Sequence, residues 1–476
     1  MPAPSSAETA PLTVAIIGAG PSGIYAAEAL SQQNDVPVRV AVLDRLPVPF
    51  GLVRYGVAPD HPSIRSIRNT LERTLEKSGV RFYGDVSIGR DLSISELRGA
   101  VDAVIYAYGA GADRQLGIEG EDLVGSIAAP EFVAWYCGHP DVHPDLEAPA
   151  PVDQPGLTAA DTAALISSTQ QAVVVGIGNV ALDVARVLIK RPHELDDTDM
   201  ADDVLASLAA KTVTDVHVLG RRGPAYTAFT TKELRELGQL SGVDLVVNAA
   251  DLHLDESSQA VVGRDKVAAR NLAVLTEWAA RTPTAADRRV HFHFWTRPVR
   301  VLGPGRVSGV EVERTRINAD GYVEGTGQVH PLDAQLVVRS VGYRGVPLPG
   351  VPFDESTGRV PHAEGRVIRD GEFSVDEYVT GWIKRGPTGV IGTNKSDAVE
   401  TVTSLLADVH DGAITPHHDV DALDALLAER GIRALGMPAW HRIDAAEIER
   451  GAAHGRERTT LAHRSELLAA AEDVTG

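Results

Sequence analysis

A glycine-rich turn between a predicted strand and a predicted helix constrains this chain more than any other feature. Four apolar residues, Val14 to Ile17, predict a buried strand, and the segment after the turn, as far as Leu30, predicts a helix. The turn has the glycine spacing of a pyrophosphate cradle, with Gly18, Gly20 and Gly23. Gly18 allows the sharp turn, Gly20 lets a phosphate approach the backbone, and Gly23 lets the helix pack on the strand. The free N–H groups and the dipole at the helix N-terminus attract the anion.

An acidic residue stands where such a unit binds a ribose. A second predicted strand, Val38 to Leu43, ends in Asp44, which lies 21 residues after Gly23. At that distance a carboxylate can accept hydrogen bonds from the ribose hydroxyls. A glycine turn in an ordinary βα unit is the alternative, but strand, turn, helix and acid together favour a dinucleotide site.

A second turn of the same kind predicts a second dinucleotide. Ala172 to Val175 predicts the strand, Gly176 to Ala181 the turn, and Leu182 to Lys190 the helix. The next strand, Asp215 to Leu219, is followed by Gly220 and then by Arg221 and Arg222 instead of an acid. Two guanidinium groups can hold a 2′-phosphate by charge-assisted hydrogen bonds, which favours NADP(H) over NAD(H).

The spacing in this second unit is unusually long. Arg221 lies 40 residues after Ala181, about twice the usual distance. The acidic segment from Asp196 to Asp203 and a short helix ending near Lys211 are expected to fill the excess. Two arginines on a solvated loop are the alternative.

Composition excludes several classes of protein. The chain has 476 residues, a length that predicts two or three domains, and a net charge of -20, which argues against general nucleic-acid binding. No apolar run is long enough to predict a membrane span, residues 1–12 are expected to form a flexible tail, and the protein is predicted to be cytoplasmic. The one cysteine, Cys137, excludes a redox-active dithiol and a four-cysteine metal or iron–sulfur site within the chain. It is expected to be a buried or half-buried apolar residue, and no metal site is predicted.

The rest of the chain contains a long loop after Asp44 and a third glycine turn followed by a helix. After Asp44 comes a long loop rich in proline, then a helix from Ile64 to Lys77 with Ser63 as its N-cap. Far along the chain, a strand, a glycine turn up to Gly392 and a helix from Ser396 to Val409 offer a third helix N-terminus. The last 60 residues are predicted to be helical, as a packed subdomain or an oligomer contact.

Several long motifs together resemble the adrenodoxin reductase family of ferredoxin–NADP+ reductases. They are Gly18 to Gly23, Pro49 to Pro62 (PFGLVRYGVAPDHP), Gly178 to Arg186 (GNVALDVAR), Arg221-Arg222-Gly223, and Trp382 to Thr393 (WIKRGPTGVIGT). The resemblance implies an α/β fold with two Rossmann-like dinucleotide-binding domains, the NADP domain inserted into a split FAD domain. The expected boundaries are 13–110 and 342–476 for the FAD domain and 111–341 for the NADP domain.

The resemblance also implies the binding residues. FAD is expected to contact the first cradle, together with Ser22, Asp44, Leu52, Val86, Trp382, Gly389, Val390 and Ile391. NADP is expected to contact Ile177, Gly178, Asn179, Val180, Arg221, Arg222, Glu233 and Gly389. Family members carry Gln or Asn where this chain has Ile177, and Glu where it has Asp44, so those two contacts differ here.

The expected reaction is hydride transfer from NADPH to non-covalently bound FAD, followed by single-electron transfer to an iron–sulfur ferredoxin, for example one that supplies cytochrome P450 systems. By the same resemblance His61 and Glu233 lie near the reacting rings, Glu233 to hold the nicotinamide and His61 to help move the flavin N5 proton. The alternatives are another NADPH flavoprotein, such as a glutamate synthase small subunit or a flavin monooxygenase, and a non-catalytic NADP-binding regulatory protein. The protein is expected to be a monomer or a homodimer. Basic residues expected to dock an acidic ferredoxin are Arg65, Arg68, Arg264, Lys266, Arg270, Lys384, Arg385 and Lys395.

Overall fold

The computed structural model describes residues 10–143, 159–419 and 421–472. It divides into two compact units. The first runs to Ala112, resumes over Tyr343–Arg450 and includes the chain from Arg464 onward, and the second comprises Asp113–Gly342 and Gly451–His463. The second unit is therefore inserted between two parts of the first. The second part of the expected FAD domain, 342–476, includes Gly451–His463, but in the structure those residues pack with the second unit.

The strands and helices of the described residues are numbered in chain order. The strands are β1 Leu12–Ile17, β2 Val38–Leu43, β3 Val80–Tyr83, β4 Ala103–Tyr106, β5 Ala112–Asp113, β6 Ser126–Ala128, β7 Gln171–Val175, β8 Asp215–Leu219, β9 Val243–Val247, β10 Arg288–His293, β11 Thr296–Leu302, β12 Gly309–Ile317, β13 Val323–Asp333, β14 Leu336–Arg339, β15 Tyr343–Arg344, β16 His362–Ala363, β17 Arg366–Arg369 and β18 Glu372–Val379. The helices are α1 Pro21–Gln32, α2 Leu52–Tyr55, α3 Pro62–Arg65, α4 Arg68–Leu75, α5 Ile94–Arg98, α6 Ala129–Tyr136, α7 Ala159–Ser167, α8 Asn179–Ile189, α9 Asp202–Ala209, α10 Thr231–Leu237, α11 Glu256–Arg264, α12 Lys266–Ala279, α13 Trp382–Arg385, α14 Thr393–His410, α15 Ala422–Glu429, α16 Met437–Ala452 and α17 Arg464–Ala471. Short 3-10 turns span Pro192–Glu194, Pro224–Tyr226 and Ala249–Leu252.

The sheet of the first unit has the strand order β16-β17-β18-β4-β1-β2-β3. Its central strands are parallel, with Leu12 opposite Val38 and Ile17 opposite Leu43. All residues of β1 and β4 are buried, which is why both read as continuous apolar runs. The predicted tail 1–12 is wrong at Leu12, which is the first residue of β1 and is fully buried by that pairing. Residues 1–9 lie outside the described part.

The second unit also contains a parallel sheet, in the order β6-β14-β7-β8-β10-β9. The antiparallel sheet β11-β12-β13 shares a hydrophobic core with it, in which Val173 and Val175 of β7 cluster with Val301, Val310 and Val312. Cys137 is buried in this unit, as expected. The long spacing after Ala181 is filled by the Pro192–Glu194 turn and by α9.

The predicted helix Ile64 to Lys77 is wrong in detail, because it is two helices. His61, not Ser63, is the N-cap of α3, and α4 begins at Arg68. Between them the amides of Ile67, Asn69 and Thr70 bond carbonyls three residues back, so the backbone tightens into 3-10 geometry.

No helix among the described residues is both long enough and apolar enough to cross a bilayer.

Candidate functional site

The first cradle is formed by the turn between β1 and α1. Gly18 has φ +111°, and a Cβ there would lie 2.6 Å from the carbonyl oxygen of Ala107. A Cβ at Gly23 would lie 2.0 Å from the carbonyl oxygen of Gly18, so helix and strand touch at that glycine. A Cβ at Gly20 would meet nothing closer than the Cα of Gly51, at 4.0 Å. Helix α1 begins here with no side-chain cap, which leaves its first N–H groups available to an anion.

Asp44 follows β2 at the edge of this cradle. Its Oδ2 accepts a hydrogen bond from Ala19 N at 2.8 Å, and its Oδ1 accepts one from Leu46 N at 2.9 Å. Its carbonyl accepts from the amide of the buried Val86, at 2.9 Å. The Asp44 carboxylate therefore stabilises the cradle through these two hydrogen bonds. Ribose binding by Asp44 stays a prediction. Leu52 begins α2 and is partly exposed.

A second glycine-rich segment meets α1 in the same unit. Gly381 has φ +80° and approaches Ser22 so closely that a Cβ would lie 2.2 Å from the serine Oγ. Ser22 Oγ donates to Asn394 Oδ1 at 2.9 Å, which ties α1 to α14. Trp382 follows Gly381 and its ring lies 5.2 Å from that of Tyr343. The structure thus places Ser22 beside the Trp382 turn, whereas Gly389 and Val390 lie exposed at the start of the next turn.

Asp397 holds this turn in place and was missed by the sequence reasoning. Its Oδ2 accepts from Gly381 N at 2.6 Å and from Arg385 at 2.8 Å, and its Oδ1 pairs with Lys384 Nζ at 2.8 Å. Lys384 is only 3 % exposed and also donates to Thr401 Oγ1 at 3.1 Å. The available signal was the position of Asp397 five residues after Gly392, as the second residue of the predicted helix from Ser396.

The second cradle has the same architecture in the second unit. Gly176 has φ +140°, and a Cβ there would lie 2.1 Å from the carbonyl oxygen of Ser340. Gly178 caps α8 with its backbone alone and has open space around it, so the helix N-terminus is accessible. Ala181 replaces the third glycine and is fully buried.

The neighbours of Gly178 are already engaged with the chain. Ile177 accepts a hydrogen bond from Ala228 N through its carbonyl and packs against Gly220, where a Cβ would lie 2.8 Å from its Cγ2. Asn179 Oδ1 accepts from Thr230 N at 2.8 Å. Asn179 and Val180 are the first two residues of α8, so their backbone N–H groups lie at the N-terminus of that helix.

The twin arginines follow the strand next to this cradle. Strand β8 pairs in parallel with β7, with Val175 opposite Leu219, so the cradle and Arg221 leave the same edge of the sheet. Arg221 is exposed and Arg222 stacks its guanidinium over Tyr226, with 5.1 Å to the ring centroid. Among the described residues neither guanidinium has an acidic partner. Both charges are therefore open to an external anion.

The two predicted titratable residues are both buried, one in each unit. His61 is 5 % exposed and caps α3. Glu233 is 5 % exposed on α10, and its Oε2 lies 3.7 Å from Arg186, which itself pairs with Asp183 at 2.8 Å. The catalytic roles of His61 and Glu233 stay predictions.

The predicted docking cations are partly wrong. Arg65 is buried and donates a hydrogen bond to the carbonyl oxygen of Arg54. Lys384 is buried and forms an ion pair with Asp397, so neither charge is presented to a partner. Arg385 is paired with Asp397, Lys395 pairs with Glu28 at 3.0 Å, and Arg68 is half-buried. Arg264, Lys266 and Arg270, on α11 and α12, are exposed, as is the paired Lys395.

Comparison with known proteins identifies the family. The model of the pyridine nucleotide-disulphide oxidoreductase family matches residues 12–324. The NADPH-ferredoxin reductase FprA of Mycobacterium leprae is 44% identical over 470 residues, covering 96% of this chain and 97% of that protein. The mitochondrial NADPH:adrenodoxin oxidoreductase of Arabidopsis thaliana is 38% identical over 488 residues, covering 98% and 97%. The chain belongs to the adrenodoxin reductase family.

A solved member of this family has the same fold. The Mycobacterium tuberculosis FprA structure in complex with NADPH has a TM-score of 0.87 and 44% identity, and the match covers 97% of this chain and 99% of that one. These matches confirm three predictions for this chain: the fold class, the enzyme class and the cofactors, FAD and NADP(H).

Proposed function

We propose that this chain transfers a hydride from NADPH to FAD and passes single electrons from the flavin to an iron–sulfur ferredoxin. The relatives named NADPH-ferredoxin reductase and NADPH:adrenodoxin oxidoreductase support the reaction, and the two glycine cradles support two dinucleotides. FAD is assigned to the first unit and NADP(H) to the second. The flavin supplies the conversion from a two-electron donor to a one-electron acceptor.

The residues of the first unit bind and orient. Gly20 leaves room for a pyrophosphate at the N-terminus of α1, and Asp44 keeps the cradle closed by binding Ala19 and Leu46. Asp397 fixes the turn that carries Trp382 by accepting the amide of Gly381. Val86, Leu52, the exposed residues Gly389 and Val390, and the half-buried Ile391 are assigned to flavin contact by resemblance to the family.

The residues of the second unit select the coenzyme. The observation that carries this proposal is the pair of guanidinium groups, Arg221 and Arg222, beside the Gly178 cradle and without an acidic partner among the described residues. A guanidinium–phosphate pair is a charge-assisted interaction of about 1.5–3 kcal/mol. Glu233 is assigned to the nicotinamide end, and His61 to the flavin proton.

Arginine removal tests the coenzyme assignment. Arg221→Ala and Arg222→Ala should each lower kcat/KM for NADPH on the order of 10- to 100-fold and leave that for NADH almost unchanged, since NADH lacks the 2′-phosphate. The matched control is Arg235→Ala, which removes an exposed arginine of the same unit and should change neither value. An NADPH/NADH ratio that stays at the wild-type value in both variants would refute this assignment.

Spectroscopy tests the reaction itself. The purified protein should be yellow, should release FAD on heating, and should bleach when NADPH is added anaerobically. A colourless protein, or a yellow one that NADPH does not bleach, contradicts the proposal and favours a regulatory NADP-binding protein.

The partner is proposed to be a ferredoxin that feeds one-electron oxidases such as cytochrome P450, in the cytoplasm. The ferredoxin name of the relatives supports the partner class. Reduction of candidate ferredoxins by NADPH, followed by reconstitution with a cytochrome P450, measures both steps. Failure with every ferredoxin from the same genome, while the flavin still bleaches, would overturn the partner and leave the hydride step intact.

A further inference from the structure

Two adjacent histidines and a buried aspartate converge at the start of the first unit's parallel sheet. Asp102 immediately precedes β4 and is 3 % exposed, and His417 and His418 lie in the loop between α14 and α15. Asp102 Oδ2 accepts from Thr13 N at 2.8 Å. Its Oδ1 accepts from the backbone N–H groups of His417 and His418, at 3.0 and 3.2 Å. The carboxylate is therefore fixed by three backbone donors.

Both imidazoles turn back onto the same carboxylate oxygen. His418 Nδ1 lies 3.0 Å and His417 Nδ1 3.1 Å from Asp102 Oδ1, and the two ring centroids are 3.9 Å apart. The three atoms all lie within 4.8 Å of one another. The carbonyl oxygen of Thr415 lies 2.9 Å from His417 Nδ1. Ligands bound to one zinc ion at about 2.0–2.2 Å stand roughly 3–3.5 Å apart, so these separations suit a shared cation.

We propose that Asp102, His417 and His418 form a binding site for a divalent first-row transition cation, with Zn²⁺ as the representative ion. Two imidazole nitrogens with oxygen donors select zinc-like ions over Mg²⁺ and Ca²⁺, which prefer all-oxygen sites. The backbone amides that hold Asp102 serve as the outer hydrogen bonds by which metal-ligating carboxylates are oriented. His417 is exposed on the surface, so the ion and a completing water have access.

This site is separate from the proposed cofactor cradle. Thr13 stands near the amino end of β1, and the cradle begins after Ile17 at its carboxyl end, a strand length of roughly 15 Å away. A cation here would join the loop after α14 to the sheet. It should stabilise the first unit without taking part in electron transfer.

Binding is measured on the full-length, untagged flavoprotein in chelator-free buffer. Isothermal titration with ZnCl₂ should give a 1:1 site, and the metal content after dialysis should agree. His417→Ala with His418→Ala should weaken binding at least 10-fold, whereas the backbone amides that hold Asp102 are kept. NADPH-dependent reduction of the flavin should be unchanged.

The matched control is His441→Ala. His441 belongs to a second exposed cluster, with its Nε2 3.4 Å from Glu72 and 3.2 Å from Glu76, and its loss should leave the 1:1 binding intact. A wild-type protein that binds no zinc, zinc binding unaffected by the double variant, or binding abolished by His441→Ala would each overturn the proposal.

A measurement on the wild-type protein keeps the test independent of variant folding. Zn²⁺ should protect His417 from carbethoxylation by diethyl pyrocarbonate, read by mass spectrometry, and should leave the exposed His410 equally reactive. Equal modification of His417 with and without Zn²⁺ also counts against the site.

Discussion

The buried ion pair between Arg54 and Glu447 should be one of the most costly contacts to break in the first unit. Arg54 lies in the long loop after Asp44, on α2, and Glu447 lies on α16, in the last part of the chain. The two side chains are 7% and 0% exposed and are bonded through both guanidinium nitrogens, one of them at 3.1 Å. Burial alone would lower the pKa of Arg54, but the Glu447 carboxylate outweighs it and raises that pKa. The pair thus fixes α16 on the loop after Asp44.

Removing Arg54 takes away a guanidinium that compensates the fully buried carboxylate of Glu447. Arg54→Met should therefore cost about 3–5 kcal/mol of the free energy of unfolding, whereas Arg54→Met with Glu447→Leu should recover most of it, because both charges are then gone. For a domain of this size each kcal/mol lowers Tm by about 2–4 °C, so the single variant should lose about 6–20 °C.

Thermal unfolding followed by flavin fluorescence and far-UV circular dichroism measures both variants. The control is Arg81→Met, which breaks a pair with Asp424 that also joins the sheet to a C-terminal helix but is 60% and 37% exposed. Exposed pairs contribute about 0–1 kcal/mol, so this Tm should change little. A single Arg54 variant within 1 kcal/mol of wild type, or a double variant no more stable than the single, would refute the reasoning.

Two further outcomes follow from charge and burial. Burial, and then the charge of Arg288, lower the pKa of Lys211 to about 7, so the unfolded chain binds more protons between pH 7 and pH 10. Stability should rise with pH across that window, and Lys211→Met should remove the rise, as Tm measured at pH 7 and pH 9.5 will show. For the partner, ferredoxin-dependent turnover should fall as salt rises past about 0.15 M, and reversing Arg264, Lys266 and Arg270 to Glu should lower it at low salt and flatten the salt curve. A salt curve unchanged by the reversal, with ferricyanide reduction as the control for flavin chemistry, would exclude this surface.

Features that depend on local sequence could be predicted. The glycine roles at Gly18 and Gly23 follow from a turn that must touch its own strand and helix, so the spacing alone determines them. The parallel strands β1 and β7 follow from nearly continuous apolar runs, and β2 and β8 follow from apolar residues interrupted by Arg39 and His217. Strand β8 agrees with the predicted bounds at both ends.

Features that depend on distant partners could not be predicted. The sequence predicts Lys384 and Arg65 to be surface cations. Only the fold shows that both are buried, Lys384 paired with Asp397 and Arg65 bonded to the Arg54 carbonyl. Likewise, nothing near Glu447 in the sequence indicates a partner in the loop after Asp44, because charge pairing over such a separation has no periodicity to detect.

The insertion of one unit into the other sets an order for synthesis. Strand β4 ends at Tyr106, yet its parallel neighbour β18 supplies the partner residues Glu377 to Val379, more than two hundred residues later. The parallel sheet of the second unit has all its strands once Arg339 has been made, so that sheet can form while the first unit's sheet still lacks three of its seven strands, β16, β17 and β18. During translation the strands between Leu12 and Tyr106 therefore have an unpaired edge at β4 until β18 has been made. An unpaired strand edge can pair with other chains, and we therefore expect slow synthesis between Asp113 and Val379 to increase aggregation of this protein more than slow synthesis before Asp113.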